Sequence, residues 1–145
     1  MTADRPTHAP GQTPIDRIPF LNHLGMRQEP SPPGESIVRL PELTPELCNL
    51  LPAAHGGVVM TLLDVAMARA ATSAPGASSS SVVTVEMSSR FMRPARGPLT
   101  ARGRVISAGG SLATCQADLY QDDGTHVASA MGTFKYWKAP LGGIE

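Results

Sequence analysis

The chain has no stretch near the roughly 20 consecutive apolar residues that span a bilayer, and its N-terminus has no apolar core of a signal peptide. A soluble, cytoplasmic protein with no membrane partner is therefore expected. Cysteine is scarce. Cys48 and Cys115 stand far apart without C-x-x-C spacing, which argues against a dithiol or metal site and fits reduced thiols. Nor do His8, His23 and His126 form a ligand pattern, so neither metal nor cofactor is expected. No sign of charge dominates: twelve Lys and Arg balance twelve Asp and Glu, leaving no net positive field to attract a nucleic acid. Within that balance Arg90, Arg93, Arg96, Arg102 and Arg104 make up half of the ten arginines.

What is present fits one domain, since 145 residues bury enough surface to fold without disulfides or metal. Residues 1–17 carry Pro6, Pro10 and Pro14 among polar side chains and read as a disordered leader. The folded domain is expected over 18–138, followed by a short tail at 139–145. Ile18 to Leu24 reads as a short apolar turn or helix. Gly25 to Glu29 and Glu35 to Leu40 then flank Pro30-Ser31-Pro32-Pro33-Gly34 as a hairpin.

Gly57 to Thr72 has no proline and many good helix formers, so one long helix is predicted. Its polar members Asp64, Thr72 and Arg69 fall at roughly −60°, 20° and 80° around the axis, one stripe on an otherwise apolar cylinder. Such a helix must be wrapped by other structure. After the loop Ser73 to Ser80 the pattern becomes alternating. Ser81 to Met92 sets Val83, Val85, Met87 and Phe91 against Thr84, Glu86, Ser88 and Arg90. Leu99 to Ile106 alternates likewise, with Arg102 and Arg104 on the outer face. Gly109-Gly110 and Asp122-Asp123-Gly124 are hairpin signals joining Ser111 to Tyr120 and His126 to Trp137 into an antiparallel meander. The order predicts an α+β fold, a sheet curled around a central helix.

Two features point to chemistry. His55-Gly56-Gly57 opens the helix without a Ser, Thr, Asp or Asn cap, leaving bare N–H groups that a ligand oxygen can approach; a plain turn glycine pair is the competing reading. Asp64 lies mid-helix, with Met60, Thr61, Met67 and Ala68 at the neighbouring turns and no basic residue among them. Burial there would leave a reactive carboxylate, unless it reaches water or an arginine on another element. Gly56 and Asp64 are eight residues apart, about 12 Å along the axis. An amide holding a carbonyl oxygen and a carboxylate attacking its carbon need to lie within roughly 6–7 Å. If both act, antiparallel helices from two copies bring Gly56 of one beside Asp64 of the other.

Asn49, His55-Gly56-Gly57, Leu62-Leu63-Asp64, Val83-Thr84-Val85-Glu86-Met87 and Phe91-Met92-Arg93-Pro94-Ala95, taken together, resemble the hotdog-fold thioesterases of the phenylacetate-degradation type. The similarity runs from about Ile18 to Trp137. It implies a hotdog fold, a homodimer or homotetramer, and hydrolysis of an acyl-CoA thioester without a cofactor. It further implies that Asp64 is the general base or nucleophile, that the Gly56 amide polarises the carbonyl, and that Asn49 and Thr84 assist. Coenzyme A contacts map by the same resemblance onto Phe91, Met92, Arg93, Pro94 and Arg96 and onto the turn from Gly109, Gly110 and Ser111 to Thr114, with His55 and Gly57 near the substrate. Pro52 departs from the family, where Gly is frequent, and bears on the path of the loop that places Asn49. Two other readings are a hotdog dehydratase or hydratase, which needs a paired His and carboxylate, and a non-catalytic acyl-CoA-binding protein. The acyl group stays open between aryl-acetyl, hydroxybenzoyl, medium-chain and dihydroxynaphthoyl types.

Overall fold

The computed structural model describes residues 6–138, so the C-terminal tail and the first five residues of the leader lie outside the described residues. In chain order the elements are α1 (Pro19–Leu24), β1 (Arg27–Glu29), β2 (Glu35–Leu40), α2 (Gly56–Ser73), β3 (Val82–Phe91), β4 (Leu99–Gly109), β5 (Leu112–Gln121) and β6 (His126–Tyr136). The six strands form one antiparallel sheet in the order β1-β2-β4-β5-β6-β3. The sheet wraps α2, the hotdog arrangement expected. Turn glycines act where anticipated: Gly34, Gly110 and Gly124 all have positive φ.

α2 is apolar because it is enclosed. Leu62, Leu63, Ala66, Met67, Ala70 and Ala71 are fully buried, and each leucine contributes about 1.5–3 kcal/mol by leaving water. The helix lies so close to β4 that a Cβ on Gly103 would sit 2.3 Å from the Ala66 carbonyl oxygen. Only glycine permits that approach. The Ser36 hydroxyl donates to the same carbonyl, and Tyr136 Oη donates to Ala71 O at 2.7 Å. These contacts fix where α2 sits along the sheet.

Two expectations are corrected. Residues 6–17 are not a disordered leader: Ile15 is buried and begins a single 3-10 turn, and the buried Gln12 side chain donates to Arg69 O at 3.1 Å and to the Thr72 hydroxyl. The polar leader packs because α2 offers it acceptors that offset the desolvation of its amide. The second correction concerns β3. Thr84 pairs with Phe134 and Glu86 with Thr133, so Val85 is bulged out and the alternation flips. Thr84 consequently shares the helix-facing side with Met87 and Phe91 instead of the outer side with Glu86. β3 is also a sheet edge, paired only with β6, and it leaves Val83 and Val85 exposed.

Candidate active site

Asp64 is half-buried in the ninth position of α2, and the bulge of β3 delivers its partner: Thr84 Oγ1 donates to Asp64 Oδ1 at 2.7 Å. Burial pushes the carboxyl group's pKa up, and the Thr84 hydrogen bond partly counters this by favouring the charged form. The arginine alternative does not occur. Among the described residues the ion pairs are Arg39–Asp122 and His126–Asp118, and Asp64 belongs to neither. Two clefts meet at the carboxylate. One, of about 300 Å³, runs past Ala68 and Arg69 to Thr72 and Val82; the other, of about 330 Å³, runs past Thr61 and Met60 to Phe20. Ile18, Leu21 and Val65 wall both. A poorly solvated carboxylate between apolar walls suits proton abstraction or nucleophilic attack on an uncharged group.

At the other end of the motif, the helix start is capped after all, by a residue type not anticipated. His55 is the N-cap, with extended backbone (φ −57°, ψ 142°), and its Nδ1 accepts from the Gly57 N–H at 3.0 Å. An accepting Nδ1 places the ring proton on Nε2. Val58 and Val59 both donate to His55 O. Gly57 is therefore engaged, whereas the Gly56 N–H has no acceptor among the described residues. The exposed Phe91 ring lies beside it, its Cε1 3.8 Å from where a Cβ on Gly56 would be.

The remaining residues fall into two groups. Asn49 Oδ1 turns back into its own loop and accepts from the N–H groups of Leu51 at 2.8 Å and Ala53 at 3.2 Å. Its carbonyl thus orders the approach to His55, with Pro52 inside the turn. That loop is tied to the segment after β3 by a hydrogen bond from Ala54 N to Ala95 O, 2.7 Å. On this segment Arg93 donates to His126 O at 3.0 Å, and Arg96 N donates to Gln121 Oε1 at 2.9 Å. Both arginines and Met92 are exposed, and Pro94 lies between them. The turn Gly109-Gly110-Ser111 stands at the opposite end of β5 from Gln121. Ten residues of strand, about 33 Å, separate the two segments expected to meet coenzyme A. One chain brings Asp64, Thr84 and the strand ends leading to the Gly109 turn to one side, and Gly56 with Phe91 to Arg96 to the other.

The family model described as the thioesterase superfamily matches residues 51–128, more than half of the chain and the whole span from the His55 turn through β5. The chain belongs to the thioesterase superfamily. An esterase-named protein of Halobacterium salinarum is 31% identical over 88% of this thioesterase-superfamily chain and 90% of its own length. A thioesterase family protein from Silicibacter pomeroyi superposes with a TM-score of 0.76 at 29% identity, covering 83% of this chain and 90% of that one. The phenylacetic acid degradation protein PaaI of Thermus thermophilus does so with a TM-score of 0.72 at 26% identity, covering 82% and 99%. The phenylacetate-degradation type recognised from the motifs is thus matched in structure, and a hydrolase of the thioesterase class is the family's general activity.

Sequence reasoning missed three contributors to this site. Thr13 lines the cleft from the leader, Ile18 and Leu21 come from α1, and Arg69 is buried in a cleft wall instead of lying on an exposed stripe. The only available signal for Arg69 was its place on a helix otherwise too apolar to face water.

Proposed function

We propose that this protein hydrolyses acyl-CoA thioesters as a homodimer, each site combining Asp64 and Thr84 of one copy with the Gly56 amide of the other. The observation that carries the reading is the Asp64 carboxylate, half-buried between two apolar clefts and held by a single hydroxyl donor. The free Gly56 N–H supplies a donor aimed at developing negative charge on the thioester oxygen. Asp64 attacks the carbonyl carbon directly or takes a proton from the attacking water, and coenzyme A leaves as the thiol.

The pairing of copies is supported by distance. Gly56 and Asp64 of one chain are about 12 Å apart along α2, too far for one carbonyl, whereas an antiparallel second helix closes the gap. It also draws on the unpaired edge of β3, whose exposed Val83 and Val85 are a surface that two-fold pairing would cover. The same operation brings the Gly109 turn of one copy toward the Phe91 to Arg96 segment of the other. Arg93 and Arg96 there offer guanidinium donors to the phosphates of coenzyme A. A dehydratase reading gains nothing from the geometry, since His55 Nδ1 is occupied by the cap.

Thiol release from a panel of acyl-CoA thioesters tests the proposal. Asp64→Ala should lower kcat/KM by at least about a hundredfold while the protein keeps its fold and dimeric state. Comparable turnover by a folded Asp64→Ala variant removes Asp64 from the chemistry.

A further inference from the structure

Arg69 is a charged residue that neither the packing nor the chemistry above accounts for. Its residue is only 8% exposed, its Nε donates to Gln28 Oε1 at 2.9 Å, and its Nη2 is sealed from solvent with no acceptor. No carboxylate pairs with it among the described residues. Burial lowers its pKa to about 10, with no neighbouring charge opposing the change, so it remains a cation at neutral pH. A guanidinium held out of water without an anion is costly, and methionine of similar volume would fill the place without that cost.

The position explains what the charge faces. Arg69 lines the same cleft, about 300 Å³, into which Asp64 opens, while Ile18, Leu21, Val65, Ala68 and Val82 line it with apolar groups. Five residues separate Asp64 from Arg69 on α2, about 7.5 Å along the axis. A carboxylate that attacks and a cation that waits thus mark the two ends of a short apolar passage. Charge neutralisation and the planar donor fork of the guanidinium both favour a carboxylate as the missing group.

We propose that Arg69 determines substrate specificity: the cleft takes the acyl group of a dicarboxylic acid monothioester, its free carboxylate paired with Arg69 while its thioester carbon lies at Asp64. The inference rests on the thioesterase reading above and narrows it to a substrate class. Hydrolysis adds water across the C–S bond, releasing coenzyme A as the thiol and a dicarboxylate as the acid.

Matched pairs of coenzyme A thioesters test it: butyryl against succinyl, pentanoyl against glutaryl, hexanoyl against adipyl. In at least one pair the wild-type kcat/KM should favour the carboxylate-ended member by about tenfold to a hundredfold. Arg69→Met should bring that ratio to one or below. Preference for the plain chain in every pair overturns the proposal, as does a ratio that Arg69→Met leaves unchanged. Should Arg69→Met fail to fold, the wild-type ratios decide alone, with a second reading from thermal protection by free glutarate or adipate against pentanoate or hexanoate. Stronger protection by the dicarboxylates supports the proposal, and equal protection counts against it. Turnover of plain chains without discrimination sinks this inference and leaves the thioesterase reading intact; turnover of no thioester sinks both.

Discussion

Replacing Gly56 with proline deletes one hydrogen-bond donor and disturbs little else. Gly56 is the first residue of α2, where proline is well tolerated, and it is not among the glycines with positive φ. His55, at φ −57° and ψ 142°, already has the backbone that a residue before proline prefers. The added ring atoms meet the Phe91 edge at ordinary contact distance, and no hydrogen bond among the described residues uses the lost N–H. Gly56→Pro should therefore keep the fold yet lose turnover by about a hundredfold to a thousandfold, the effect of removing an oxyanion donor. Asp64→Ala should be similarly inactive. Equal amounts of the two variants, co-refolded, place half of the dimers in the mixed form, and each mixed dimer holds one site with both groups intact. About a quarter of wild-type turnover per chain should return. The doubly substituted chain mixed equally with wild type separates the cases again. Sites shared across the dimer leave about a quarter of the activity of an all-wild-type sample, and sites within one chain leave about half. Native mass spectrometry with differently tagged copies reports the mixed dimers, and thiol release reports turnover. Mixed dimers that form without restoring activity would refute the shared site.

Three further outcomes follow from the same geometry. Because burial raises the Asp64 pKa above its unfolded value, stability contributed by the protonated carboxyl is present below the unfolded value and is lost as pH rises through the folded one. Asp64→Asn should accordingly melt at a higher temperature than wild type at neutral pH, with the difference shrinking as the pH falls through that range. Thr84→Val removes the donor that holds the carboxylate in its charged form, so the acid limb of the kcat/KM profile should move to higher pH. Gly103→Ala drives a methyl group against the Ala66 carbonyl and the Ser36 hydroxyl, at 2.3 and 2.8 Å, and should cost about 3 kcal/mol, a fall in Tm of roughly 6–12 °C by thermal denaturation.

The parts legible from sequence were those that depend on local pattern. Gly57 to Thr72 could be read as an enclosed helix because its composition leaves no face for water, and the glycine turns at Gly110 and Gly124 declare themselves by chemistry. The face of Thr84 was not legible, because a bulge changes no residue type and appears only when Val85 fails to find a partner on β6. Gln12 and Ile15 looked like a loose leader, since a polar segment reveals its packing only through the helix carbonyl and hydroxyl that it meets. His55 capping the helix ran against the usual preference for small oxygen-bearing side chains, and its ring reaches Gly57 only in this turn. The resemblance picked out Asp64 and Thr84, which proved to be hydrogen-bonded neighbours. Phe91 to Arg96 and the Gly109 turn had to wait for the topology, because nothing in a linear string shows that β5 holds them apart.

The seat of α2 against Gly103 separates what must stay rigid from what can vary. Strand and helix backbones meet directly there, so the axial station of Asp64 tolerates little adjustment. The outer walls of its clefts, by contrast, are furnished by Thr13, Ile18 and Leu21, which reach α2 from the first two dozen residues of the chain. Retailoring that short N-terminal stretch offers a route to new acyl groups that leaves the reacting centre where it is.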